Sequence, residues 1–472
     1  MVITGAWYVH RAGYPTLLRL RMTPPENLLL ITLDTTRADH LSCYGYSQQT
    51  TPNIDRLAET GVLFEQAHST APLTLPAHST ILTGLYPFNH GVRNNGDFYL
   101  PPDIPTLAGI LRKRGYGTAA FISSFILDSR YGLAHDFDLY EDHLEKKEQA
   151  LQDFEVERKG SDTTHLALSW LSSHAAKPFF LWLHLYDPHE SYDPPEPFRS
   201  RFASLYDGEI AFADSLVGDM IARLDELGIR RKTLIVIVGD HGESLGEHHE
   251  ESHSVFIYTA TMRVPLVLNA PGAIPAGVRA AAPVSIADIF STVVDILKLT
   301  PPSTQDGRSL VPLIAGSTPS TERSIYFESL FPKLYLHWAP LRGIRSGPWT
   351  YIEAPRAELY RVDSDPGETV NLLASNPDVV SRMRQRLTSI VPAGAPDRYS
   401  RQALDDETVS KLAELGYIAA AAYSGAEVAS GNLPDPKDKI DFFNTLRDAQ
   451  KEISHISSGD SRLEAFLARW DR

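Results

Sequence analysis

The chain has 472 residues, 43% of them hydrophobic, enough to bury one large core or a large domain with a smaller one. A formal net charge of −15 excludes a general nucleic-acid binder, because no basic stripe is available to neutralise phosphates. The single cysteine, Cys43, excludes an intrachain disulfide framework, and no apolar run approaches the ~20 residues of a membrane helix, so a soluble chain without a transmembrane anchor is expected.

Residues 1–26 read as a leader of unassigned status, in which Leu17-Leu18-Arg19-Leu20-Arg21 breaks the hydrophobic stretch that a secretory signal needs. Regular structure begins with the apolar run Asn27 to Leu33, a buried parallel strand that delivers Asp34 at its C-terminal edge. Next comes Thr74-Leu75-Pro76-Ala77-His78-Ser79-Thr80-Ile81-Leu82-Thr83-Gly84, in which Thr74 is placed to cap a helix. Asn94-Asn95-Gly96 is strong turn chemistry, with Asn95 lying 21 residues after Thr74. A helical pattern follows from Ile104 to Arg114. Pro178 to Leu185 is a second buried strand, ending at Tyr186-Asp187-Pro188-His189, and a helical pattern runs from Tyr206 to Leu227. Thr233 to Val238 is a third strand, ending at Gly239-Asp240-His241-Gly242-Glu243. His248 and His249 read as solvated loop residues, and His253 follows them.

Strands alternating with helices predict an α/β fold built on a doubly wound, mostly parallel sheet, with ligands gathered beyond the strand C-termini. The polar clusters at Asp34, at Asp187 to His189 and at Asp240-His241 should therefore converge. After about Ala315 short strands near Gly343 to Arg345, Trp349 to Ile352 and Glu358 to Val362 predict a small antiparallel sheet. Helices are expected near Asp406 to Leu415, Lys437 to Ile453 and Arg462 to Trp470. The division is thus 27–315 for the main α/β domain, 316–395 for a small α+β subdomain and 396–472 for a helical tail, read as a packing arm in preference to a partner-binding module, with the start of truncated helical repeats as the alternative.

Asp240 and His241 side by side offer one hard oxygen and one borderline nitrogen, a pair suited to zinc or manganese. With Asp34 and the Thr74 hydroxyl they would form one metal site, whose ion would favour the Thr74 alkoxide. The Thr74 segment, with Pro two residues on and Leu-Thr-Gly at Leu82 to Gly84, resembles the nucleophile segment of the sulfatase and alkaline-phosphatase superfamily. Asp34-Thr35-Thr36-Arg37 resembles that superfamily's Asp-Asp-x-Arg metal segment, and Asp363 to Glu368 with Asn371-Leu372 resembles the ending of its small subdomain. The resemblance spans roughly residues 27–373 and implies an alkaline-phosphatase-like fold.

Sulfatases carry Cys or Ser where this chain has Thr74, and a threonine cannot become formylglycine. His78 and Asn95 instead resemble the pattern of phosphonate monoester hydrolases and nucleotide pyrophosphatase/phosphodiesterases, which implies that the Asn95 amide binds a non-bridging oxygen. His189 and His253 are implied to bind substrate oxygen or protonate the leaving group. Asp187, His189 and His253 leave open a second metal, and Ser123 or Ser124 a hydroxyl contact. The expected reaction is hydrolysis of a small-molecule phosphate or phosphonate ester, a phosphodiester, phosphonate monoester or phosphotriester, through a phosphothreonine. The alternatives are a phosphoethanolamine- or phosphoglycerol-type transferase and an arylsulfatase-like sulfate ester hydrolase without formylglycine. The natural substrate, the compartment and the oligomeric state stay open.

Overall fold

The computed structural model describes residues 23–144, 156–317, 322–391, 398–414 and 433–454. Most of the leader and the helix expected from Arg462 to Trp470 lie outside those residues. The central sheet is built from β1 (Asn27–Leu33), β2 (Val62–Phe64), β4 (Gly117–Phe121), β5 (Leu139–Glu141), β6 (Phe179–Leu185), β7 (Thr233–Gly239), β9 (Leu266–Asn269) and β10 (Val278–Ala280). Their spatial order is β10-β2-β9-β7-β1-β6-β4-β5, and β9 alone runs antiparallel to its neighbours β2 and β7. Two small sheets accompany it. One joins β3 (Ala67–His68), β8 (Arg263–Val264) and β11 (Val284–Ser285); the other is the antiparallel meander β12 (Ser324–Ser329), β13 (Leu341–Ser346), β14 (Trp349–Glu353) and β15 (Glu358–Arg361).

The central strands carry unbroken apolar runs because both faces of the sheet are covered. Leu28 and Leu30 of β1 point into a core that also holds Ile81, Phe290 and Val293. Leu29, Ile31 and Leu33 point the other way, into a core with Leu216, Val217 and Met220. Those last three belong to α5 (Leu205–Glu226), which packs beside α4 (Gly160–His174) on that face. The opposite face carries α2 (Thr74–Thr83), buried along its whole length, and α6 (Asp288–Ile296). The remaining helices used below are α1 (Pro52–Glu59), α3 (Leu107–Lys113), α7 (Pro377–Ile390), α8 (Asp406–Glu414) and α9 (Ile440–Ser454).

Register decides where the chemistry goes. Leu33 of β1 lies opposite Leu185 of β6 and Gly239 of β7, so three parallel strands end level. The residues that follow, Asp34, Tyr186 and Asp240, leave the sheet side by side. The Asp34 amide donates to Leu185 O at 2.9 Å and the Asp240 amide to Leu33 O at 3.3 Å, which pins the three exits together.

The meander packs Tyr326, Ile344, Tyr351 and Leu359 against Val380, Met383 and Leu387 of α7. Its other face, through Phe327, Ile352 and Tyr360, joins the core beneath the central sheet. Arg93 and Glu328 form a buried two-pronged ion pair across that junction, with Nε to Oε1 at 2.5 Å. Glu328 lies on β12, while Arg93 lies two residues before Asn95.

A candidate metal and nucleophile site

The polar clusters at the strand ends converge as the alternation of elements requires. Asp34, Asp240 and His241 are fully buried, and each offers one ligand atom within 4.8 Å of the others, the one such cluster among the described residues. Asp240 Oδ1 accepts two backbone N–H groups, from Thr35 at 3.1 Å and His241 at 2.6 Å, leaving Oδ2 buried without a partner. Asp34 Oδ2 accepts from His184 Nε2 at 3.2 Å, and its Oδ1 is likewise buried and unpartnered. His241 donates through Nδ1 to Gly242 O at 2.9 Å, so its Nε2 carries the lone pair. Two orphaned carboxylate oxygens and one bare imidazole nitrogen fit a divalent cation, since buried polar atoms are otherwise partnered. Thr35 sits at φ 46°, a left-handed conformation that a β-branched residue rarely adopts; it is held there by its contact to Asp240 and by its hydroxyl donating to Pro188 O at 2.7 Å.

Electrostatics support the same reading. Burial, then repulsion from neighbouring carboxylates, pushes Asp34 up to about 7 and Asp240 up to about 6. Burial opposes protonation of His241, but Asp240 and Asp34 outweigh it and raise its pKa. Carboxylates this basic bind protons when no other cation is present, and a divalent ion would take the place of those protons.

Thr74 is the first residue of α2, with Leu73 rather than Thr74 as its N-cap; the cap expected at Thr74 is therefore one residue out. The hydroxyl is thereby free to face the cluster, and Thr74 Oγ1 lies 3.4 Å from His241 Nε2. His78, one turn on, donates through Nδ1 to Thr74 O at 2.8 Å and accepts at Nε2 from the Thr32 hydroxyl at 3.0 Å. Trp182 Nε1 completes this chain by donating to Thr32 Oγ1 at 3.0 Å. Burial holds His78 down to about 3, so it is a neutral strut beneath Thr74.

Asn95 Oδ1 accepts from the Leu75 amide in the first turn of α2 at 2.9 Å. That bond orients the carboxamide, and the Asn95 Nδ2 donor is buried with no partner. Asn95 thereby takes up one of the first N–H groups of α2. His189 and His253 are matched in a second way. His189 Nδ1 donates to Glu190 O at 2.6 Å, and His253 Nδ1 donates to Glu243 Oε1 at 3.0 Å. In both rings Nε2 is left bare. His189 is 7% exposed with its Nε2 unpartnered, and it stacks on Tyr186 with ring centroids 4.3 Å apart. Its ring lies 5.2 Å from that of His253, which lies 4.7 Å from that of His241. Burial drives both rings well below the ordinary imidazole range, so both are neutral acceptors.

Some expectations change. Asp187 turns its Oδ1 to the Gly160 amide at 2.9 Å, at the start of α4, and forms no metal-capable cluster with His189 and His253 among the described residues. Ser123 donates its hydroxyl to His184 O at 2.6 Å, whereas Ser124 Oγ is buried without a partner. His248 is half-buried, stacked on Tyr258 at 3.6 Å, because its Nε2 reaches Gly367 O; only His249 is exposed. Two residues with roles at the site carried no role in the sequence reading. His184 hides within the apolar run of β6, where an imidazole looks like core. Glu243, buried and pushed up to about 8 by burial and by Glu190, orients His253 and accepts from Tyr192 at 3.3 Å. Beside Tyr186 and His189 opens a cavity of about 750 Å³ that also reaches Asp187 and Glu209.

The family model described as Sulfatase matches residues 26–299, and the one described as N-sulphoglucosamine sulphohydrolase, C-terminal, matches residues 246–392. Arylsulfatase K of Bos taurus is 24% identical over 450 residues, covering 77% of this chain and 81% of that protein. An ulvan-active sulfatase of Formosa agariphila is 26% identical, covering 83% of this chain and 81% of its own. Among solved structures, the phosphonate monoester hydrolase of Agrobacterium radiobacter superposes with a TM-score of 0.67 at 24% identity, over 78% of this chain and 95% of that one.

Proposed function

This chain belongs to the sulfatase family, and we propose that it is a metal-dependent hydrolase of anionic ester bonds with Thr74 Oγ1 as its nucleophile. One observation carries the reading: the Thr74 hydroxyl meets His241 Nε2 beside the orphaned oxygens of Asp34 and Asp240. Those four residues would hold the ion, and hard oxygens with one imidazole suit zinc or manganese. When bound, such an ion would favour the alkoxide form of a hydroxyl and offset charge on the group under attack.

The chain's own residues supply the rest. Thr74 Oγ1 attacks the central sulfur or phosphorus, and the bond from that atom to the alcohol oxygen breaks. The proton released by Thr74 passes to a bare imidazole nitrogen, of His189 or His253, and from there to the departing alcohol. Asn95 Nδ2 donates to a non-bridging oxygen as its charge grows. Water then attacks the same central atom and the bond to Thr74 Oγ1 breaks, restoring the hydroxyl. The cavity beside His189 accommodates the alcohol half.

The curated relatives are sulfatases, which favours a sulfate ester as substrate and gives that reading the wider support. One observation favours phosphorus. A formylglycine enzyme releases sulfate by collapse of a hemiacetal, an exit closed to threonine, so release here needs water to attack the central atom. A phosphothreonine is open to that attack. The deciding experiment measures turnover of an aryl sulfate, phosphodiester, phosphonate monoester, phosphotriester and phosphomonoester, each with zinc or manganese, by wild type, Thr74→Ser and Thr74→Ala. Sulfate turnover abolished in Thr74→Ala supports the first reading, and phosphorus-ester turnover without sulfate turnover supports the second. Product formation that depends on an added alcohol acceptor would mark a transferase. Turnover that survives Thr74→Ala overturns the nucleophile.

A further inference from the structure

Helix α9 lies beyond the last residue that either family model matches. Its Ile440 and Phe443 are buried in the main core, where Phe443 meets Phe331 and Trp338, so packing explains its docking. Packing does not explain its polar side chains. Asn444 Nδ2 donates to His249 O at 2.6 Å, on the loop between His241 and His253. The Arg447 guanidinium donates to the carboxylate of Glu190, the residue after His189. One helix therefore holds both loops that present the bare imidazoles.

The pair is well placed to act at a distance. The Arg447 side chain is 12% exposed and that of Glu190 24%, so water screens the contact less than it screens a surface pair. Glu190 O is also the acceptor that fixes His189 through Nδ1. Displacing Glu190 would move that carbonyl, and with it the plane of the ring that stacks on Tyr186.

We propose that Arg447 is a positioning residue for the reaction: through Glu190 it aims the His189 imidazole at the ester, so that α9 is a working part of the active site as well as a packing arm. The proposal rests on His189 acting at the ester, as described above.

The test uses the full chain with metal and compares wild type, Arg447→Lys, Arg447→Ala, Glu190→Gln and the Arg447→Ala/Glu190→Gln double variant. Two readouts are taken: steady-state kinetics on the best ester of the panel, and labelling of His189 by diethyl pyrocarbonate mapped by mass spectrometry. Arg447→Ala should lower kcat roughly ten- to hundredfold, the scale of a small misplacement of a reacting group. KM should stay within about twofold, because the interaction is needed in the transition state. Arg447→Lys should recover most of kcat, Glu190→Gln should match Arg447→Ala, and the double variant should be no worse than either. His189 should label faster in Arg447→Ala, while His143, whose side chain is 86% exposed, labels as in wild type. An unchanged kcat, additive losses in the double variant, or unchanged His189 labelling each overturns the proposal. Wild type inactive on every ester would refute the hydrolase reading instead, and the labelling would still decide whether Arg447 restrains His189.

Discussion

Replacing His184 with leucine tests the metal site from behind. His184 is fully buried and reaches Asp34 Oδ2 at 3.2 Å, while its Nδ1 faces the Ser123 amide at 3.4 Å. The Ser123 N–H can donate only to a bare Nδ1, so the ring proton sits on Nε2 and points at the carboxylate. Leucine fills similar space and removes that donor. A hydrogen bond to a charged group is worth about 1.5–3 kcal/mol. Losing the partner that orients a ligating group typically weakens metal binding about 10- to 100-fold. That is roughly 1.4–2.7 kcal/mol, so the two routes agree. The assay is a zinc titration of metal-free protein against a competing chelator, with circular dichroism to show that the variant is folded. His184→Gln, whose amide can reach Asp34, should lie between wild type and leucine. A folded His184→Leu protein that binds zinc as tightly as wild type would refute the claim that Asp34 is a ligand oriented by His184.

Asn95→Ala should lower kcat by about 10²–10³, and Asn95→Asp by more, since it sets a charge against the substrate anion; equal rates for wild type and Asn95→Ala would remove Asn95 from the site. The folded-state values of Asp34, about 7, and Asp240, about 6, lie above the ordinary 3.8, so the metal-free fold holds more protons than the unfolded chain and loses stability as pH rises through that window. A metal binds the ionised carboxylates, so its thermal stabilisation should grow between pH 5 and pH 7.5 (about the span of those values); a shift that shrinks with pH would contradict the assignment. Glu328→Gln breaks the buried pair with Arg93 and should cost about 3–5 kcal/mol in denaturant melts, with zinc affinity of the folded protein unchanged. A loss below about 1 kcal/mol, the range of exposed pairs, would show that the pair is not desolvated.

Much of this site was legible because its carriers sit at the ends of apolar runs, where a strand pattern stops and a polar residue follows. Asp34 and Asp240-His241 stand where β1 and β7 end, and the expected helices recur as α3 at Leu107–Lys113 and α5 at Leu205–Glu226. What the sequence hid was side-chain direction. Asp187 and His189 are two residues apart, yet one faces the start of α4 and the other lies beside His253. Nothing in their order separates them. His184 looked like core because it is core, buried among β6 neighbours, and its role lies in one ring nitrogen. Arg447 lies more than two hundred residues from Glu190, and only tertiary docking of α9 creates that contact.

The Arg93–Glu328 pair bears on how the molecule comes apart. A fragment ending before β12 would keep Arg93 beside Asn95 but lose the carboxylate that pairs with it, along with Phe327, Ile352 and Tyr360 from the shared core. Such a fragment would expose apolar surface and leave a buried cation next to the Asn95 amide. Calorimetry of the whole chain should then show the central sheet and the meander melting in one cooperative transition, and limited proteolysis between them should yield no stable active piece. The meander is in this sense a wall of the candidate site.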